Sequence, residues 1–598
     1  MRGTVNERIQ ALRERMAVRG IDACLIPTDD YHGSENVGDY FKCREYITGF
    51  TGSAGTAVIT MEEAGLWTDG RYFVQAAGEL FGSEVRLFRM GEEGVPLVGD
   101  YLYQVLPEKG VLAFDGRVLD IRTGEELEKK LEEKQIAFSA DQDLVGEIWT
   151  DRPELSKEPV WILSERYAGQ SACEKLEGLK KAIIEKGAEI HILSSLDEIA
   201  WLLNLRGNDI SCTPVFLSYL IVTEKRCILF VQQEALSEAV RTYLAELQVE
   251  IRDYEAFYKT LAELQNVTVL LEKAKVNYQI CKALDETVTI LDEANPASIS
   301  KAIKNPVEIE NMKKAHIKDG VAVTRFLCWL KHAIGKEAID ECSAAACLEA
   351  MRAEQEGSLG PSFDTISAYG SNAAMCHYSA EAGAGRRLEA HGLYLVDSGG
   401  HYYEGTTDIT RTIALGTLTE EEKRCFTLVA CSMLRLLDAK FLYGCHGYNL
   451  DYAARELLWR RGLDYNHGTG HGVAYLGPVH EGPNSVRWRV TPARPDYTVF
   501  EEGMITSNEP GLYFEGKFGI RTENLMLCVK AEKNEYGQFM KFENLTWVPI
   551  DLDAIDPGCM EEQDKERLNA YHKNVYEKIS PYLSEEEAEW LKQATREI

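Results

Sequence analysis

The chain opens on an amphipathic pattern, MRGTVNERIQALRERMAVRG, in which Leu12 and Met16 lie among charged positions and predict a helix to about Arg19. The run IDACLIP then predicts a strand, and TAVITMEEAGLWTDGRYF predicts two more joined at Glu62 and Glu63. Helix and strand alternate, which describes an α/β domain. The polar, proline-bearing stretch TDRPELSKEP, Thr150 to Pro159, marks its end.

The next segment repeats that plan. SLDEIAWLLNLRG followed by VFLSYLIVTEKRCILFV echoes REYITGFTG followed by TAVITMEEAGLWTDGRYF: each is a helix-and-strand unit closed by glycine and followed by a hairpin with a charged turn. An internal duplication accounts for the likeness. In EANPASISKAIKNPVEIENMKKAH, Pro296 and Pro306 flank a short helix before a longer one begins. The expected domains are therefore 1–157 and 158–304, both α/β, and 305–598, an α+β domain that holds every metal-type motif.

A length of 598 residues agrees with three domains, since one hydrophobic core serves roughly 100–200 residues. The net charge of -31 would repel a phosphate backbone, and no basic cluster offsets it, so nucleic acid is excluded as a partner. The N-terminus lacks the continuous apolar core of a signal peptide. No stretch reaches the roughly 18 apolar residues of a membrane span, so no membrane partner is expected and a cytoplasmic location follows by default. Fifteen cysteines are scattered from Cys24 to Cys559 without a CxxC pair, which reads as reduced thiols rather than disulfides or a zinc site. Most, such as Cys328 in RFLCWL, sit in apolar runs, and none is given a catalytic role.

Chemistry concentrates in the last segment. In HGLYLVDSGGHYYEGTTDITRTIAL an apolar strand ends at Asp397 and a second strand carries Asp408 among threonines. Taken singly, an aspartate at a strand end is more often a turn cap than a ligand. HGTGHG brings His467 and His471 together with glycines that would let backbone approach a bound ion, and His480 follows in VHEGP. Three of the 12 histidines thus fall within fourteen positions. An HExxH reading fails for want of a second histidine at helical spacing with a glutamate. EEGMITSNEPGLYFEGKFGIRTENLMLCV places Glu509 at a strand end before Pro-Gly, and Glu523 between Thr522 and Asn524, where a glutamate is a poor strand residue unless something needs it.

Asp, Asp, His, Glu, Glu in this order is more specific than its parts. Four buried carboxylates repel one another without cations, and two divalent ions would neutralise them. An oxygen-rich set with one imidazole suits Mn(II) first, with Co(II) or Zn(II) as alternatives.

These five residues and their flanks resemble the metal-binding pattern of the creatinase/methionine-aminopeptidase, or pita-bread, hydrolases. The likeness covers nearly the whole chain: CREYITGFTGSAGTAVI and WTDGRYF, then SLDEIAWLLNLRG and PVFLSY, then HGTGHGV, VHEGP, NEPG and GIRTEN all resemble cytosolic aminopeptidase P. The resemblance implies two creatinase-like N-terminal α/β domains before a pita-bread catalytic domain. It also implies hydrolysis of the bond between an N-terminal residue and a following proline, and a homodimer formed through the catalytic domain.

Carried over residue by residue, it gives Asp397, Asp408 and Glu523 to one metal and Asp408, His471, Glu509 and Glu523 to the other, with Asp408 and Glu523 bridging. Two such ions generate a nucleophilic hydroxide and polarise the scissile carbonyl. Glu509 would also carry the proton to the leaving amine. His377, His467 and His480 would surround the substrate, with His480 favoured as donor to the carbonyl. Arg521 and Tyr513 would support the site, Arg521 by orienting a carboxylate or stacking in the substrate channel. Peptides with proline in the second position are the implied substrates.

The sequence departs from that pattern at Ala474, where a third glycine is common, and at Gly477-Pro478, which reshapes the following turn. The stretch NSVRWRVTPARPDYTVFEEG, with Trp488, also reads as a longer loop, best taken as surface drift. Three rivals share the fold: a prolidase, restricted to dipeptides and with one domain fewer before the catalytic one, a non-catalytic peptide-binding module, and a metal-free creatinase-type amidinohydrolase. The complete ligand set disfavours the last two.

Overall fold

The computed structural model describes residues 3–380, 383–490 and 497–598. It divides into two bodies, Met1–Ile162 with Ser171–Ala297, and Leu163–Gln170 with Ser298–Ile598.

The first body opens with α1 (Val5–Arg19), which starts at a capping box between Thr4 and Glu7 and stops at Gly20 in the left-handed conformation. Leu12 and Met16 are fully buried on its inner face. One sheet contains β1 (Ala23–Pro27), β2 (Thr56–Thr60), β3 (Ala64–Thr68), β4 (Val85–Arg89), β5 (Val111–Ala113) and β6 (Ala137–Ser139) in the order β4-β3-β2-β1-β5-β6. A second contains β7 (Ile190–Leu193), β8 (Ser218–Thr223), β9 (Cys227–Val231), β10 (Val249–Asp253), β11 (Thr268–Leu271) and β12 (Thr289–Asp292) in the order β10-β9-β8-β7-β11-β12.

The two sheets correspond strand for strand. In each, the first strand pairs antiparallel with the hairpin and parallel with the fifth strand, and the outer pairs are parallel. That is the topology an internal duplication leaves. The echo differs in one respect from the sequence reading. The helix Cys43–Thr48 ends on Gly49, whereas Leu196–Leu203 ends on Asn204, which takes the left-handed conformation at φ 49° ahead of Gly207.

The main run of the second body begins at Ser298, in the first turn of α2 (Pro296–Ala302). Then α3 (Pro306–Ala333) starts with Asn305 capping the N–H groups of Val307 and Glu308, Glu308 reaching back, and Pro306 in the first turn where its missing N–H is harmless. A three-stranded antiparallel sheet joins β13 (Ile366–Tyr369), β14 (Leu393–Ser398) and β15 (Ile409–Ala414), with β14 and β15 buried throughout. A six-stranded sheet contains β16 (Lys440–Leu442), β17 (Gly470–Gly472), β18 (Glu481–Val486), β19 (Ile505–Asn508), β22 (Asn524–Asn534) and β23 (Gly537–Asn544). Its order is β16-β23-β22-β19-β17-β18. The hairpin of β20 (Gly511–Phe514) and β21 (Phe518–Arg521) lies between β19 and β22 in sequence.

Helices α4 (Glu420–Leu437) and α5 (Glu562–Ile579) bury their apolar faces in a shared core with Leu512 and Ile520 of that hairpin. Buried Arg411 joins the two sheets beside the site. It donates to the carbonyls of Thr410 at 2.8 Å, Glu523 at 2.6 Å and Val548 at 2.9 Å, and to the Asn524 side chain at 2.8 Å.

Candidate metal centre

Asp397 pairs in register with Thr410 across β14 and β15. The strand continues one residue past Asp397 to Ser398, and Asp408 sits in the link just before β15 rather than within it. His471 is the middle residue of β17, the short strand held between β18 and β19. Glu509 follows β19 and donates its N–H to the Thr469 carbonyl at 2.8 Å; Glu523 sits between β21 and β22 and donates to the Thr410 carbonyl at 3.1 Å. Two sheets and a hairpin thus deliver five side chains to one place.

Two of the HGTGHG glycines are needed for strand packing. A Cβ on Gly470 would stand 1.9 Å from the Ser507 carbonyl oxygen, and one on Gly472 would stand 2.3 Å from that of Glu481. Both admit neighbouring backbone, and so set how closely β17 lies between its partners.

Ligand-type atoms of Asp408, His471 and Glu523 lie within 4.8 Å of one another. His471 Nε2 is 3.4 Å from Asp408 Oδ2 and 3.4 Å from Glu509 Oε1. Its Nδ1 lies 2.9 Å from the Gly472 carbonyl, to which it donates, and this turns Nε2 toward the carboxylates. Arg521 Nη2 donates to Asp397 Oδ2, Arg521 Nε donates to Thr410 Oγ1 at 3.1 Å, and Thr410 Oγ1 donates to Glu523 Oε2 at 2.8 Å.

The remaining oxygens, Asp397 Oδ1 and Glu523 Oε1, are buried without a hydrogen-bond partner among the described residues. An orphaned buried carboxylate oxygen is costly unless a cation meets it. Burial first, and then neighbouring carboxylates, push Asp408, Glu509 and Glu523 above the usual carboxylate range. An oxygen-rich donor set with one correctly oriented imidazole therefore fits divalent cations.

Around this cluster, Arg521 Nη1 donates to Tyr513 Oη at 2.7 Å, and Tyr513 Oη lies 2.9 Å from His467 Nε2. His467 Nδ1 lies 2.7 Å from the Gly468 carbonyl, so the phenol donates and the imidazole accepts. Burial, reinforced by the Arg521 cation, pushes His467 down to about 3, and burial pushes the Tyr513 phenol up. Both ring nitrogens of His467 are thus engaged within the protein. The exposed His480 ring stands perpendicular to His471 with centroids 4.2 Å apart. His377 is half-buried and follows Cys376, whose carbonyl oxygen is 3.5 Å from Arg521 Nη2.

Several residues here escape the sequence reading. Ser507 Oγ donates to Glu509 Oε1 at 3.0 Å and accepts the His471 N–H at 3.0 Å. Buried Arg455, paired with Asp451 at 2.7 Å, donates to the carbonyls of Tyr465 and His467 and so shapes the approach to β17. Thr410 and Ser507 each stand two positions from a carboxylate that lies just outside the strand, but hydroxyls in strands give no warning of that role. Ala474 is buried against Gly477. Of the loop expected after Asn484, the first residues belong to β18, Trp488 is 41% exposed, and 491–496 lie outside the described residues.

Known proteins match this chain along its length. Models of the creatinase/prolidase N-terminal domain match residues 8–144 and 151–308, metallopeptidase family M24 matches 310–530, and the C-terminal region of peptidase M24 matches 538–598. Aminopeptidase P1 of Arabidopsis thaliana is 36% identical over 99% of both chains. A probable Xaa-Pro aminopeptidase P of Talaromyces marneffei is 39% identical over 99% of this chain and 92% of its own. The crystal structure of X-prolyl aminopeptidase from Caenorhabditis elegans, a cytosolic enzyme with a di-nuclear active site, superposes with a TM-score of 0.94 at 33% identity over 100% of both chains. Creatinase-type α/β domains followed by a pita-bread domain are therefore the architecture, and the chain belongs to the Xaa-Pro aminopeptidase P family of M24 metallopeptidases.

Proposed function

We propose that this protein is a metal-dependent exopeptidase that hydrolyses the bond between an N-terminal residue and a following proline. The observation that carries the proposal is the pair of buried, unpartnered oxygens, Asp397 Oδ1 and Glu523 Oε1, in a cluster with Asp408, His471 and Glu509. Asp397, Asp408 and Glu523 would hold one divalent ion, and Asp408, His471, Glu509 and Glu523 would hold the second, with Mn(II) favoured over Co(II) or Zn(II). When bound, such a pair of ions lowers the pKa of water and polarises a carbonyl.

The rest is done by the chain. Glu509, its Oε1 fixed by the Ser507 hydroxyl and its carboxyl raised by burial, accepts the proton of the attacking water and passes it to the proline nitrogen as that bond breaks. That nitrogen must gain a proton as the C–N bond breaks, because an unprotonated amide anion is too basic to leave. His480 donates to the scissile carbonyl oxygen as charge builds there, and His377 binds substrate beside it. Neutral His467 and Tyr513 hold Arg521 while lining the substrate pocket, and Arg521 keeps Asp397 oriented. The free amine of the substrate lies by Asp397, which limits cleavage to the first residue.

The chain acts as a cytoplasmic homodimer with domains at 1–157, 158–304 and 305–598. Among the described residues no helix is long and apolar enough to cross a membrane. Sedimentation that shows a monomer at working concentration rejects the dimer. The activity is tested by comparing an Xaa-Pro-Pro tripeptide, an Xaa-Pro dipeptide and an Xaa-Ala-Ala tripeptide. Release of the first residue from Xaa-Pro-Pro is expected; cleavage of the dipeptide alone would make the protein a prolidase, and equal cleavage of Xaa-Ala-Ala would remove proline from the specificity.

A further inference from the structure

Lys301 near the end of α2, Lys304 just beyond it and Glu481 at the start of β18 form a buried ion triad outside the ligand cluster. The Glu481 side chain is 0% exposed, with Lys304 at 1% and Lys301 at 6%. Lys301 Nζ lies 2.8 Å from Glu481 Oε2, and Lys304 Nζ donates to Oε1, so each carboxylate oxygen is held by its own lysine. The backbone is fixed too. Glu481 is the register partner of Gly472, where the missing Cβ lets the strands close up, and Lys304 donates its N–H to the Gly503 carbonyl at 3.0 Å.

Burying three charges is a poor way to gain stability, because apolar side chains of similar volume pack as well or better. A triad of fixed geometry does confer position. What it positions is adjacent on both sides: Glu481 follows His480 directly, and its strand partner Gly472 follows His471. The two imidazoles meet at 4.2 Å across that anchor.

We infer that Glu481, clamped between Lys301 and Lys304, is a positioning residue that holds His480 beside His471 in the geometry needed to meet the substrate carbonyl. This deepens the reading of the site given above and rests on it. The clamp acts through the backbone at His480, so its effect falls on turnover more than on substrate affinity.

The test is a double-mutant cycle between Glu481→Gln and His480→Ala in Mn(II)-loaded protein, read as kcat and KM on Xaa-Pro-Pro, with His480 imidazole resonances followed in histidine-labelled, metal-free protein. Glu481→Gln is expected to lower kcat about tenfold or more, within the roughly hundredfold that an ångström of misplacement costs, with KM little changed. In the His480→Ala background it should cost nothing further. The His480 resonances should shift or split in Glu481→Gln. Losses that multiply in the double variant, an undiminished kcat, or unchanged His480 resonances each overturn the inference. If Glu481→Gln does not fold, Lys301→Met, which leaves Lys304 on the carboxylate, enters the same cycle. Inactive wild-type protein would count against the proposed activity, while the resonances would still decide the clamp.

Discussion

Arg521 donates to Oδ2 of Asp397, and the other oxygen of that carboxylate, Oδ1, is buried without a hydrogen-bond partner. One side chain thus fixes which lone pairs of Asp397 remain available. The same guanidinium holds Tyr513 and Thr410, and Thr410 repeats the arrangement at Glu523 by engaging Oε2 while Oε1 stays orphaned. One network thus engages one oxygen of each carboxylate and leaves the other unengaged.

Arg521→Lys should break this network, because an ammonium cannot serve three partners in a planar fork. Mn(II) affinity is expected to fall about tenfold to a hundredfold, as it does when partners of metal ligands are removed. Calorimetric titration of the metal-free variant checks it, and wild-type affinity would contradict the role.

Ser507→Ala removes the hydroxyl that joins the His471 backbone to Glu509. The expected outcome is a kcat reduced by about tenfold or more with a folded protein, since Glu509 loses its fixed rotamer but not its carboxylate. Stopped assays on Xaa-Pro-Pro, with thermal unfolding alongside, separate that from general destabilisation.

Gly470→Ala should destabilise the second body by about 3 kcal/mol or more, because the new methyl meets the Ser507 carbonyl, a backbone atom that cannot swing away. Urea unfolding measures the loss. A near-neutral change would mean that β17 is not held as described.

Acid sensitivity should arise away from the site at His572. It is buried, accepts the Ile550 N–H at 3.1 Å through Nε2, and is pushed down to about 3 by burial and by the Arg411 cation. The folded state therefore binds this proton less readily than the unfolded chain, whose histidine titrates near 6.5. The contribution is complete above pH ~6.5 and is lost progressively as pH falls toward ~3, amounting to about 2 kcal/mol by pH ~5. His572→Gln should flatten that part of the curve of unfolding free energy against pH, and an unchanged slope between pH ~7 and ~5 would refute it.

Asp397, Asp408, His471, Glu509 and Glu523 stand out in the sequence through their order and through flanks that resemble the pita-bread hydrolases, because taken singly an aspartate at a strand end reads as a turn cap. The repeated α/β plan was legible from its hairpins, whose apolar runs pair in the same topology in both copies. What was hidden looks ordinary where it stands. Thr410 is a good strand residue, Lys301 and Lys304 read as a helix end, and their partner Glu481 lies 180 and 177 positions away, beyond any local pattern. The packing need at Gly470 and Gly472 is hidden for the same reason: it is set by strands that come together only in the fold.

The most direct test of the two-metal account is titration of the metal-stripped protein with Mn(II), following bound metal and release of the first residue from Xaa-Pro-Pro together. The account predicts two ions bound per chain, activity that rises with them, and loss of both binding at full stoichiometry and cleavage in Asp408→Ala. Stripped protein that cleaves as fast as the loaded form, or an Asp408→Ala variant that binds and cleaves as wild type does, would contradict it.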